Sequence, residues 1–217
     1  MTRYLLGLGL AAVLSASCDS SQPPIGCPVQ SLVWSATYKP KAGNTCPVKP
    51  GEQLGIQKYS NPERNELLTI KPETLEALDA RDPSRLPYSL GNLAKDSDAE
   101  GFCAVSNLAV AEKNAPAGDG DEPAIDVAYR WNNVRILATP SAPGTQMVAD
   151  LEYTENGCTG QYEVWAMWPG DVSCENDAGE PDDSLCASAG TINPDFATVC
   201  EPTVKFCVPA KRPPSLK

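Results

Sequence analysis

Nine cysteines and no histidine in 217 residues leave this chain few ways to fold and fewer ways to catalyse. Eight of them, Cys27, Cys46, Cys103, Cys158, Cys174, Cys186, Cys200 and Cys207, form an even set that can pair completely, with Cys18 standing apart. In an oxidising compartment such a set reads as disulfides, each worth roughly 2–4 kcal/mol through restriction of the unfolded chain. Connectivity is not fixed by sequence. The spacing favours Cys174 with Cys186, which would tie off the acidic stretch between them. On one extended strand Cys200 and Cys207 would stand roughly 20 Å apart, too far to bond, unless Pro202 turns the chain between them. A thiolate metal site or a thioredoxin-like pair uses C-x-x-C, and the shortest gap here is Cys200 to Cys207. Without histidine there is no Ser-His-Asp or Cys-His site and no imidazole base.

The net charge of −11 and pI near 4.5 argue against nucleic acid or an anionic membrane surface as the main partner. With 41% hydrophobic and 21% charged residues, the chain has enough apolar surface to bury a core.

The first eighteen residues set the address. Arg3 is followed by Tyr4 to Leu14, an apolar run too short to span a bilayer, and then by Ser15, Ala16, Ser17 and Cys18. A basic start, an apolar run and small residues make an export signal. With Leu14-Ser15-Ala16-Ser17-Cys18 in the place of a lipobox, this region resembles a bacterial lipoprotein precursor, although Ser15 holds the position usually taken by Leu. The resemblance implies cleavage before Cys18, acylation there with palmitate-type chains, and anchoring in the cell envelope, outer-membrane, periplasmic or surface-facing. Cleavage after Ser17 by ordinary signal peptidase is the alternative. Residues 1–17 are then the signal peptide and 18–26 a lipidated cysteine with a Pro-containing tether.

Residues 27–208 read as a single disulfide-rich β domain. Leu32 to Tyr38 alternates, Gln53 to Tyr59 does so more weakly, and Ile125, Val127, Tyr129 and Trp131 share one side of a strand. Phe102 to Val110 and Thr203 to Val208 are further strands, and Glu112 to Pro123 is a loop. Pro72 to Arg81 is a helix, with Pro72 at its start and Asp82-Pro83 ending it. The strongest signal is a hairpin over 145–168, with Asn156-Gly157 between two alternating runs. The fold class is mainly β: an antiparallel sandwich or barrel-like domain with one short helix, an α+β layer being the alternative. Residues 209–217 read as a mobile basic tail.

Candidate chemistry is sparse. Asp119, Asp121 and Glu122, or Glu175, Asp177, Glu180, Asp182 and Asp183, could offer oxygens to Ca2+, but neither stretch has the D-x-[DN]-x-[DN]-G pattern, and acid-rich loops are mostly solvated. No other metal or cofactor is implied. The hairpin predicts an outward face of Asp150, Glu152, Glu163 and Trp165, with Leu151 opposite Val164, Glu152 opposite Glu163 and Asp150 opposite Trp165; like charges face each other in this register, so a two-residue slip is the alternative. Carboxylates beside an indole suit glycan binding or a two-carboxylate glycoside hydrolase, but the favoured reading is that Trp165 packs beneath another segment. The expected function is a non-enzymatic, envelope-anchored lipoprotein that binds an envelope protein or polysaccharide or has a structural role. A carboxylate-dependent glycan hydrolase is the alternative from another class. In general style cysteine-rich lipoproteins also look like surface or motility-complex components of gliding bacteria.

Overall fold

The computed structural model describes residues 26–63 and 65–217, so the signal peptide, Cys18 and nearly all of the tether lie outside the described residues. In chain order the elements are β1 (Leu32–Pro40), β2 (Gly51–Ser60), β3 (Glu66–Pro72), α1 (Glu73–Ala77), β4 (Ser89–Leu93), β5 (Phe102–Ser106), β6 (Ala111–Ala115) and β7 (Ile125–Thr139). They continue with β8 (Ala142–Glu155), β9 (Cys158–Met167), α2 (Asp183–Ser188), β10 (Thr198–Cys200) and β11 (Cys207–Pro209).

The strands close a ring. β1 to β5 form a meander, β5 pairs with β7, β7 with β8, β8 with β9, and β9 returns to β1, all antiparallel. Closure selects the barrel over the sandwich and removes most free edges. β5 takes the second half of β7, from Phe102↔Leu137 to Val105↔Val134, while β6 takes the first half, from Ala111↔Tyr129 to Ala115↔Ile125. Together they act as one interrupted strand. β7 runs unbroken past Asn132 and Asn133, where a register shift and the positive φ of Asn133 absorb the extra residue. The loop expected from Glu112 therefore begins only after β6.

Period-two alternation fills the interior. Trp34, Tyr38, Leu54, Ile56, Leu68, Ile70, Tyr129, Trp131, Leu151 and Tyr162 all point inward and are buried. Large apolar side chains of this kind contribute about 1.5–3 kcal/mol each on burial. One carboxylate joins them. Glu52 accepts hydrogen bonds from Tyr38 Oη (2.9 Å), Tyr129 Oη (2.6 Å) and the Thr74 amide (2.9 Å), with Lys49 Nζ at 3.4 Å. Burial first, then the Glu52 charge, pushes both tyrosine hydroxyls well above their ordinary pKa, so they stay protonated as donors.

Helix α1 is shorter than the expected Pro72–Arg81. It plugs one mouth with Leu75 and Leu78 and then gives way to turns. Asp82 redirects the chain, because its carboxylate takes Ser84 Oγ, the Asn114 amide and Arg85 instead of leaving the backbone to continue as helix. The Ser84 bond, then the Asn114 amide, hold this carboxyl far below its usual range despite desolvation. The same linker covers the outer edge of β6, where fully buried Lys113 reaches Asp79 Oδ1 (2.7 Å) and the carbonyls of Asp82 (2.6 Å) and Arg85 (2.5 Å).

Residues after Met167 form a disulfide-tied module on the outer wall. Phe102, Leu137, Val148 and Met167 point outward from the barrel and share a second apolar cluster with Ile192, Phe196 and four half-cystines. Gly170 sits so tightly against β1 that a Cβ would fall 2.0 Å from the Trp34 carbonyl carbon, which excludes any side chain there. The favoured Cys174–Cys186 pair does not form. The bridges are Cys27–Cys103, Cys46–Cys158, Cys174–Cys200 and Cys186–Cys207. The reason is a second helix within the expected acidic loop: Asp182 caps α2 by accepting from the Ser184 amide (2.8 Å), and α2 carries Cys186 into the apolar cluster. Cys200 and Cys207 do not share an extended strand. They face each other across β10 and β11, each bonded elsewhere, and of the stretch expected as a strand over Thr203 to Val208 only Cys207 and Val208 lie in β11, with Thr203 and Val204 in a turn. The C-terminal tail, expected to be mobile, is docked on the module: Ser215 is buried, exchanges hydrogen bonds with Gln146, and donates Oγ to the Ala197 carbonyl.

Candidate functional site

The hairpin of β8 and β9 pairs two residues away from the expected register. Leu151 faces Tyr162, Glu152 faces Gln161, Asp150 faces Glu163, and Trp165 faces Val148. A two-residue turn explains it. Asn156 (φ 48°) and Gly157 (φ 80°) both take positive φ, so Glu155 lies directly opposite Cys158.

The outer face holds all four residues singled out from the sequence, but each acid has a partner within the chain. Asp150 pairs with Lys41 (2.5 Å) and accepts from Asn133 Nδ2 (2.6 Å). Glu152 meets Arg130 (3.3 Å) and Gln161 (2.9 Å), and Glu163 meets Arg212 (2.7 Å) and the Trp165 indole N–H (3.0 Å). Burial acts to raise the Asp150 carboxyl, but the hydrogen bonds from Lys41 and Asn133 outweigh it and leave the group below its usual range. A general acid for glycoside hydrolysis needs the opposite shift. The face is also the convex outside of a closed barrel, with the C-terminal segment reaching over it through Arg212.

Trp165 is half-buried against the C-terminal module, with Lys39 Nζ 5.3 Å from its ring. Trp165→Ala should therefore cost about 2 kcal/mol, below the 3–5 kcal/mol typical of a fully buried aromatic. A urea melt reads this directly; no change in midpoint would mean that the ring contributes nothing to the packing.

Half of the acids considered for Ca2+ are spent on the fold. Glu122 pairs with Arg81 (3.3 Å), Glu175 with Lys205 (2.6 Å), Asp182 caps α2, and Asp183 accepts from the Cys200 amide (2.7 Å).

A different surface is concave. Along the outer wall of β2, β3 and β4 lies an open groove of about 960 Å³, bounded by Leu32 and Val33 on one side and by α1 and the Asp79–Tyr88 linker on the other. Outward positions of the strands supply its floor, including Gln57, Leu67, Thr69 and Leu90, and Gly55 deepens it by carrying no side chain. Leu32 (75% exposed), Tyr59 (41%) and Leu90 (40%) leave apolar surface open to solvent. Leu32 does so at φ 93°, a left-handed conformation that a leucine rarely adopts. Sequence reasoning passed over this surface, although Leu67 beside Leu68 offered a signal: apolar side chains on both faces of one strand.

Among the described residues no helix is long and apolar enough to cross a membrane. The MlpA family model matches residues 32–169, from the first residue of β1 to just beyond β9, which is the barrel without the disulfide module. Over its full length the chain is 35% identical to "Putative lipoprotein MlpA" of Myxococcus xanthus, in an alignment of 241 residues covering 100% of both proteins. No solved structure matches. The family match over most of the chain and the full-length relative agree with the lipobox-like start, and the chain belongs to the MlpA family of bacterial lipoproteins.

Proposed function

We propose that this protein is a non-catalytic lipoprotein, held in the envelope through acylated Cys18, that works by binding a partner in the groove over β2–β4. The single observation carrying this reading is the open groove with its exposed Leu32, Tyr59 and Leu90, because concave surfaces lined by apolar side chains with a few polar groups are where ligands are held. The hairpin face supplies the contrast. Its carboxylates are neutralised by Lys41, Arg130 and Arg212, which suits a solvated wall better than an acid–base pair. A disulfide-stapled barrel makes a rigid scaffold, and rigid scaffolds present surfaces with little ordering cost.

Catalysis is tested on purified cell-wall and capsular glycans. The full chain should release no more reducing ends than its Asp150→Asn/Glu163→Gln variant, and both should match a blank. Turnover that disappears in the double variant would establish a hydrolase and end the binding-only reading.

A further inference from the structure

We propose that the C-terminal module carries a thiol–disulfide exchange site, at which an external thiol converts its two bridges into a second complete pairing, Cys174–Cys186 with Cys200–Cys207. The four cysteines come from separate segments, the stretch after β9, α2, β10 and β11, and meet in one apolar cluster. The Sγ atoms of Cys174, Cys186 and Cys207 all lie within 4.8 Å of one another, and Cys200 is bonded to Cys174, so two different bridges stand side by side. Among the described residues the two barrel bridges take no part in this group of sulfurs. Both new bonds lie within reach. The sulfurs of Cys174 and Cys186 are already close. Cys200 and Cys207 are direct partners in the β10–β11 ladder, and their amides point away from each other, to Asp183 Oδ1 (2.7 Å) and the Val172 carbonyl (3.0 Å). They are therefore a non-hydrogen-bonded pair, the closer kind, with Cα atoms typically about 4.5 Å apart and side chains on one face, inside the range that a disulfide spans.

Exchange runs by thiolate attack through a mixed disulfide. Cys200 is the least enclosed of the four, at 6% exposed against 2% or less for the others, and its strand is only three residues long, a kind of element that opens locally. There the external thiolate bonds to Cys200 Sγ, and the Cys174–Cys200 bond breaks with its electron pair left on Cys174. Cys174 then bonds to Cys186 and expels Cys207 as thiolate. Cys207 in turn bonds to Cys200 and returns the external thiolate. Three S–S bonds form and three break, so nothing is oxidised or reduced and the thiol acts as a catalyst. The two pairings hold the module differently. In the first, both bridges leave the β10–β11 hairpin, one for Cys174 and one for α2. In the second, each bridge closes inside its own segment, over shorter loops than the present separations of 26 and 21, and the hairpin loses both covalent ties. Shorter loops restrict the unfolded chain less, so the hairpin is held more weakly against Phe102, Leu137, Val148 and Met167.

The test treats the oxidised full chain, with Cys18 acylated or alkylated beforehand, with reduced glutathione at about pH 8, where part of the thiol is thiolate. Samples are quenched by alkylation in acid, denatured and cut with Asp-N protease and trypsin; Asp182, Asp195 and Lys205 place the four cysteines on separate peptides for mass mapping. Peptides joined as Cys174–Cys186 and Cys200–Cys207 should appear together and rise to a plateau, while Cys27–Cys103 and Cys46–Cys158 stay unchanged. Oxidised glutathione without thiol should leave the first pairing intact. Amide exchange over residues 198–209 should quicken about tenfold in the second pairing. Cys200→Ser with Cys207→Ser should leave no titratable thiol, because Cys174 and Cys186 then pair, and Cys174→Ser with Cys186→Ser should likewise close Cys200–Cys207. Should the double variants lose their cooperative melt, the bridge map of the unaltered chain decides. The proposal is overturned if only the first pairing persists, if the module is reduced to free thiols with no new pair, or if scrambling reaches the barrel cysteines. Two free thiols in both folded double variants, or unchanged amide exchange in the second pairing, would overturn it as well.

Discussion

Lys113→Ala should destabilise the barrel by about 3–5 kcal/mol, the range for breaking a buried, hydrogen-bonded charge. The side chain is wholly enclosed, and its ammonium satisfies two carbonyls, of Asp82 and Arg85, as well as Asp79. Water can reach Asp79, which is 53% exposed, but the carbonyls lie in the seam where the linker seals β6. Truncation therefore leaves unpaired acceptors and a void along the missing stem. Lys113→Met keeps most of the stem and should recover part of the loss, which separates packing from polar satisfaction. Urea titration of both variants reads the effect, and a loss under about 1 kcal/mol for Lys113→Ala would show that the seam does not depend on this residue.

Removing the Cys46–Cys158 bridge, as Cys46→Ser with Cys158→Ser, should cost about 4 kcal/mol under oxidising conditions. This bridge spans 112 residues, the longest separation of the four, and ties the β1–β2 connection to the turn between β8 and β9. Its entropic worth falls a little below that of an isolated loop because Cys27–Cys103 already shortens the path. The corresponding loss for Cys186–Cys207, with a separation of 21, should be smaller and confined to the C-terminal module. Equal midpoints for the two bridge deletions would contradict the loop-length account.

The contrast between these elements also explains what could be read from the chain. Local patterns survived: the inward rows of β1, β7, β8 and β9 are the alternations seen in the sequence, because one buried face fixes the parity of a strand. Parity does not fix register. The expected and observed hairpins place the same residues on the same faces, and only the tight Asn156-Gly157 turn distinguishes them by two positions. Closure was legible only as a class, since a barrel and a sandwich share their alternation and differ in the long-range contacts β1–β9 and β5–β7. β4 was missed because its inward positions Ser89, Gly91 and Leu93 include a single large apolar residue. Disulfide partners and the docked tail depend on contacts such as Gln146 with Ser215, 69 residues apart, which leave no local trace. The acid hairpin drew attention in the sequence because its residue types were chemically suggestive. Its cations arrive from Lys41, Arg130 and Arg212, distant segments that only the fold brings together.

Site-specific photo-crosslinking in living cells decides between the two surfaces most directly. A photoreactive amino acid is placed at Leu90 in the groove, or at Gln161 on the hairpin face, in the full chain carrying Cys18. Groove binding predicts one adduct of defined mass from position 90, lost on adding Leu32→Ser, and none from position 161. An adduct from position 161 with none from position 90 would contradict the account and return the function to the acidic face.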